Sequence, residues 1–132
     1  MLYSASMQGL HLTADCHDCR CAPRWLLDAP VLGAACAEAV AAAGLRVVGQ
    51  LAHAFPATAQ GPGGVTATLL LAESHLCVHT WPEQRAVTLD VYVCNFGADH
   101  SARARTLMDT LLALFQPGRI ERHALERGTI TA

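Results

Sequence analysis

Val87-Thr88-Leu89-Asp90-Val91-Tyr92-Val93-Cys94 is the stretch that decides the fold. Its alternation is strict. Val87, Leu89, Val91 and Val93 share one parity, and Thr88, Asp90, Tyr92 and Cys94 share the other. Successive side chains of a strand face opposite sides, so this is a half-covered strand with one apolar and one polar face. Cys94 falls on the polar face with Asp90 and Tyr92. Upstream, residues 65–72 are an apolar run that reads as a strand. Residues 76–80 continue it until Trp81-Pro82 ends or bends it.

Outward from these strands the pattern changes period. Asp28 is placed to cap a helix with Pro30 in its first turn, running to about Ala43, with Gly44 as its C-terminal stop. Glu38 is its only charge, so much of its circumference is expected to be buried. A second helix, capped by Asp99 or Ser101, carries Ala104, Leu107, Met108, Leu111 and Phe115 on one stripe and stops at Pro117-Gly118. Residues 11–15 and 45–55 read as strands, and residues 119–127 as a last one. Residues 56–64 form a Gly/Pro loop. The order β-α-β-β-β-α-β, with few helical crossovers, predicts an α+β fold. The expected form is a two-layer α/β sandwich, a mainly antiparallel sheet with two helices on one face. The bare face then needs a cover, and a second copy of the chain, a dimer, is the simplest one.

Composition narrows the function. The 132 residues suit a single domain, and 52% apolar residues suit a real core. All 9 positive charges are arginines, scattered along the chain, and the net charge is −2. That argues against a phosphate-tracking surface and against nucleic-acid binding. No apolar run approaches the ~20 residues a membrane helix needs, and the N-terminus has no signal-peptide pattern, so a cytoplasmic location is expected. The 6 cysteines are then thiols. Cys36 sits in the alanine-rich helix and reads as a small core residue, as does Cys77 in its strand. Cys16, Cys19 and Cys21 have one ligand-like spacing but no second pair downstream. They read as thiols in a loop, and no metal is expected.

The reactive stretch is Glu73-Ser74-His75-Leu76-Cys77-Val78-His79-Thr80-Trp81-Pro82-Glu83. A serine between Glu and His at the end of an apolar strand is costly unless hydrogen-bonded or chemically used. The chain has no lysine. This rules out a Schiff base on its own side-chain amine, including lysine-bound pyridoxal phosphate. Taken singly, His75 reads as a hydrogen-bonded core histidine, Glu83 as a surface charge, and Arg103 and Arg105 as a solvated helix face.

Taken together, Leu71-Ala72-Glu73-Ser74-His75, His79-Thr80-Trp81-Pro82-Glu83 and Asp90-Val91-Tyr92-Val93-Cys94 resemble the bacterial and archaeal S-adenosylmethionine decarboxylase proenzymes. Gly9-Leu10-His11-Leu12, Asp15, His53-Ala54-Phe55 and Gly64-Val65-Thr66 fall in register, so the resemblance covers nearly the whole chain. It implies a self-made pyruvoyl cofactor. The Ser74 hydroxyl attacks the Glu73 carbonyl, and base-promoted elimination cuts the Glu73–Ser74 bond. A β chain of 1–73 and an α chain of 74–132 result, the latter headed by a pyruvoyl group made from Ser74 that takes substrate as a Schiff base. By the same resemblance His79 is the processing base, Thr66 stands for a serine that assists processing, and Cys94 is the proton donor. Phe55 stacks near the adenine and sulfonium, Glu83 holds the ribose, and a homodimer of αβ units forms the site. The implied activity is decarboxylation of S-adenosylmethionine to the aminopropyl donor for spermidine.

The chain departs from the family at Asp15-Cys16-His17-Asp18-Cys19, in the longer Gly/Pro loop, and at Cys94-Asn95-Phe96-Gly97. None of these touches the self-processing set. Two other readings stay open: a pyruvoyl decarboxylase for arginine or ornithine, and a non-processing binding subunit.

Overall fold

The computed structural model describes residues 8–95 and 97–128. Residues 1–7, on which the expectation of no signal-peptide pattern rests, lie outside them. So do Phe96 and residues 129–132.

Among the described residues the strands are β1 (Gly9–His17), β2 (Val47–Ala54), β3 (Val65–Leu71), β4 (Ser74–Trp81), β5 (Ala86–Cys94) and β6 (Arg119–Arg127). They form one sheet in the order β2-β3-β4-β5-β1-β6, and every neighbouring pair is antiparallel. The helices are a single short turn, α1 (Arg24–Leu27), with α2 (Ala29–Ala42) and α3 (Ser101–Phe115). The two-layer α+β architecture is as expected. No helix among the described residues is long and apolar enough to cross a membrane.

Local chemistry explains the helix ends. The Asp28 carboxylate accepts the Val31 N–H at 3.1 Å, and Pro30 follows within the first turn. At the far end Gly44 takes a φ of +84°, which residues with a Cβ avoid. The start of α3 differs from the expected cap. His100 occupies the cap position and its side chain caps nothing. Asp99 instead accepts the Ser101 N–H at 2.9 Å, and that bond holds its carboxyl below the ordinary range.

One strand boundary also differs. Residues 65–80 are not a continuous strand: Ala72 and Glu73 turn the chain back, and Leu71 pairs with Ser74 in a tight hairpin. The edge strand β6 is exposed along its length and carries charges of both signs, which discourages pairing with other chains.

The sheet has two unlike faces. Leu10, Leu12 and Ala14 of β1, Val65, Ala67 and Leu69 of β3, Leu76 and Val78 of β4, and Val87, Leu89, Val91 and Val93 of β5 are buried under the helices. From α3, Leu107, Met108, Leu111 and Phe115 meet them, and from α2, Leu32, Cys36 and Val40. The Cys16, Cys19 and Cys21 thiols belong to this core rather than to a loose loop. Burial pushes the Cys16 thiol up to about 12 and Cys19 to about 11. Among the described residues no His, Cys, Asp or Glu cluster is arranged to hold a metal ion.

The opposite face is bare. Alternation puts every histidine except His100 on it, together with Cys77, Cys94, Asp90 and Tyr92. Leu51 (75% exposed), Leu70 and Phe55 stand uncovered at its β2–β3 end.

Candidate active site

The β3–β4 hairpin presents the Glu73–Ser74 bond. Its two-residue turn is tied down from outside. Arg46 accepts the Ala72 N–H at 2.8 Å and donates its own N–H to the Glu73 carboxylate at 3.1 Å. The Glu73 carbonyl, on the other side, accepts the Cys94 N–H at 2.7 Å. The carbonyl next to Ser74 is therefore already polarised by a fixed donor. That donor would also serve an oxygen gaining negative charge. Ser74 has a φ of 151°, a region that residues with a side chain rarely occupy. Ser74 pairs with Val93 and so stands at a position of helix-side parity, whereas Cys94 shares the parity of Tyr92 on the bare face. The pairing brings Glu73, Ser74 and Cys94 to one end of the sheet.

The other motif residues gather elsewhere. Thr66 and His79 are cross-strand partners, with Oγ1 and Nδ1 3.0 Å apart. A cleft of about 340 Å³ opens beside them, lined by Phe55, Gly64, Thr66, His79, Trp81 and Glu83. Gly64 is required by close approach, because a Cβ there would fall on the Thr80 carbonyl. His53 meets the Phe55 ring edge-on at 4.7 Å, and Trp81 lies 6.1 Å from the His79 ring. The cleft combines three rings, of Phe55, His79 and Trp81, with the Thr66 hydroxyl and one carboxylate, Glu83, so it offers stacking surfaces beside hydrogen-bonding groups.

These two groups are not adjacent in one chain. Ser74 and His79 are five positions apart on an extended strand, which is about 17 Å. Ser74 with Cys94 occupies one end of β4, and His79 with Thr66, Phe55 and Glu83 the other.

Several residues change reading. Cys77 is half-buried on the bare face midway between the groups, not in the core, with Thr68 Oγ1 at 3.7 Å. His75 is likewise half-buried on that face, its ring 5.7 Å from Tyr92. The sequence reading missed a polar cluster near the Ser74 end. His11 Nε2 meets the Asp90 carboxylate at 3.0 Å, and Arg127 lies over the Tyr92 ring. The shared parity of Asp90, Tyr92 and Cys94 was the signal for it. Trp81, which the sequence marked only as a strand end, is a wall of the cleft.

Comparison with known proteins shows the family and the fold. The family model described as S-adenosylmethionine decarboxylase matches residues 10–128. An S-adenosylmethionine decarboxylase proenzyme of Parasynechococcus marenigrum is 34% identical over 119 residues, covering 90% of this chain and 82% of that one. Another, from Aquifex aeolicus, is 41% identical over 69 residues, 52% of this chain. There the aligned stretch spans about half the relative, 48% of its length. The crystal structure of the adenosylmethionine decarboxylase from Aquifex aeolicus superposes with a TM-score of 0.80 at 30% identity, covering 96% of each chain.

Proposed function

The chain belongs to the S-adenosylmethionine decarboxylase family, and from that premise we propose that it cleaves itself at Glu73–Ser74 and decarboxylates S-adenosylmethionine. The observation that carries this reading is the Glu73–Ser74 junction: a serine at φ 151° whose preceding carbonyl accepts a backbone N–H at 2.7 Å.

The residues suit such a cleavage. Ser74 Oγ attacks the Glu73 carbonyl carbon, and the Cys94 N–H holds the oxygen as charge gathers on it. Expulsion of the Ser74 nitrogen converts amide to ester and relieves the constrained φ. Removal of the Ser74 α-proton by His79, oriented by Thr66, then expels the Glu73 carboxylate. Residues 1–73 become the β chain, and residues 74–132 the α chain. Hydrolysis of the new N-terminus releases ammonia and leaves a pyruvoyl group.

A pyruvoyl group made from Ser74 would supply the electron sink for decarboxylation, in a chain with no lysine to tether pyridoxal phosphate. The remaining tasks fall to side chains. Cys94 Sγ delivers the proton to the substrate α-carbon. Phe55 faces the sulfonium and adenine, where a ring face over a cation is worth about 0.5–2 kcal/mol. Glu83 accepts from the ribose hydroxyls. The product is the aminopropyl donor for spermidine. The rings of Phe55 and Trp81 beside the Glu83 carboxylate favour this substrate over arginine or ornithine.

The separation of about 17 Å along β4 means that His79 cannot serve Ser74 of its own chain. A second copy packed bare face to bare face, on a two-fold axis crossing β4 near Cys77, brings the partner's His79 end over the Ser74 end. The exposed Leu51, Leu70 and Phe55 are then covered as well. The free thiols suit a reducing compartment, and we assign the dimer to the cytoplasm.

The test is the intact mass of the denatured protein. Wild type is expected to give two fragments, with the C-terminal one beginning in a pyruvoyl group, and Ser74→Ala a single full-length chain. An unmodified wild-type chain after prolonged incubation would refute the proposal and favour a binding subunit.

A further inference from the structure

We propose that Arg85 is a positioning residue for the ribose end of the substrate, acting through the turn that carries Glu83. This rests on the assignment of Glu83 to the ribose.

Glu83 is exposed, and among the described residues its carboxylate has no hydrogen-bond partner. Only the backbone of the tight turn Pro82–Gln84 aims it. That turn closes through the Arg85 N–H on the Pro82 carbonyl at 3.1 Å. Closure puts Arg85 at φ 48°, a left-handed position where glycine would sit without cost.

An arginine persists there because its surroundings over-determine it. Arg85 Nε donates to the Cys19 carbonyl at 2.7 Å, and Nη2 to the Cys21 carbonyl at 2.9 Å. The Cys19 N–H returns a bond to the Arg85 carbonyl at 2.9 Å. The guanidinium fork thus spans two carbonyls of one loop, which a lysine ammonium cannot match in geometry.

The loop being gripped is itself rigid. Cys19 and Cys21 are buried in the core, and the Arg20 N–H donates to the Gln116 carbonyl at 3.0 Å. The near side of the turn is anchored too. Thr80 Oγ1, buried, donates to the Leu26 carbonyl and accepts the Val65 N–H, both at 2.8 Å. The segment from Cys19 to Leu26 is therefore a backing for the substrate turn. This gives the cysteine-rich stretch a role without any thiol chemistry.

Arg85→Gly keeps the backbone conformation and removes the clasp, and Arg85→Lys keeps the charge alone. In Arg85→Gly the cleavage rate and kcat are expected to stay within about twofold of wild type, while KM for S-adenosylmethionine rises about tenfold. Arg85→Lys is expected to fall between. Amide exchange over residues 83–86 should quicken in Arg85→Gly. A KM within twofold of wild type, or parallel loss of cleavage, kcat and KM, would overturn the positioning role. Unchanged exchange would overturn the clasp itself. A wild type that neither cleaves nor decarboxylates sinks the decarboxylase reading and the ribose role with it, and the exchange measurement then reads the clasp alone.

Discussion

The two faces of this sheet use the same residue type in opposite ways. On the helix side Cys16, Cys19, Cys21 and Cys36 are buried, and burial pushes the Cys16 and Cys36 thiols up to about 12. They are small apolar fillers that stay protonated. On the bare side Cys77 and Cys94 are half-buried among histidines, a carboxylate and a tyrosine. Strand parity separates Cys16 from Cys77 and Cys94, while Cys19 and Cys21 are buried from the loop after β1 and Cys36 from α2. A cysteine one position away from Val93 lies outside the apolar core.

The sharpest way to break the contrast is to ask whether the bare face works alone. His79→Ala and Ser74→Ala chains are each expected to remain uncleaved. Co-expressed, they are expected to form mixed dimers in which Ser74 of one chain meets His79 of the other. In a statistical mixture about half of the Ser74-bearing chains are then cut. Mass analysis of the denatured mixture reads this directly. No cleavage in the mixture would mean that the site closes within one chain and that the bare face has another purpose.

A smaller effect separates the cysteines. Cys94→Ala removes the thiol but keeps the backbone N–H that polarises the Glu73 carbonyl. Cleavage is expected to proceed while turnover falls by about 10²-fold or more. Cys36→Ala, on the helix side, is expected to leave turnover unchanged and to lower stability by about 1 kcal/mol. Equal turnover in the two variants would remove Cys94 as the proton donor.

Much of this architecture was legible in residue order, for identifiable reasons. Strict alternation from Val87 to Cys94 defines two faces, and Asp28 with Pro30 defines a helix start. The hairpin at Ala72-Glu73 was hidden because it lacks the Gly, Asn or Pro that usually marks such a turn. Closeness in sequence also misled. Ser74 and His79 look adjacent in the motif, but an extended strand carries them apart. The cysteine stretch reads as loop by composition, since its burial depends on Arg85, Gln116 and Gly118, far away in the chain. Phe55, Thr66, His79 and Glu83 did converge on one cleft, because β-hairpin register brings such positions side by side.

The buried thiols make the last and smallest prediction. In the unfolded chain a thiol ionises near ~8.5, whereas in the fold Cys19 does so at about 11 and Cys16 and Cys36 at about 12. Desolvation is the first cause in each. Between those values the unfolded state has lost protons that the folded state keeps. The stabilisation is therefore fully present below the unfolded pKa and is lost as pH rises toward 11–12. The absence of lysine leaves few other groups titrating in that window. The melting temperature is expected to fall by about 5 °C or more between pH ~8.5 and ~10.5. Cys36→Ala should show a shallower fall than wild type, because one of the raised thiols is gone. Parallel curves for the two proteins would mean that the helix-side thiols are not desolvated as their burial implies, and the contrast between the faces would rest on the histidine face alone.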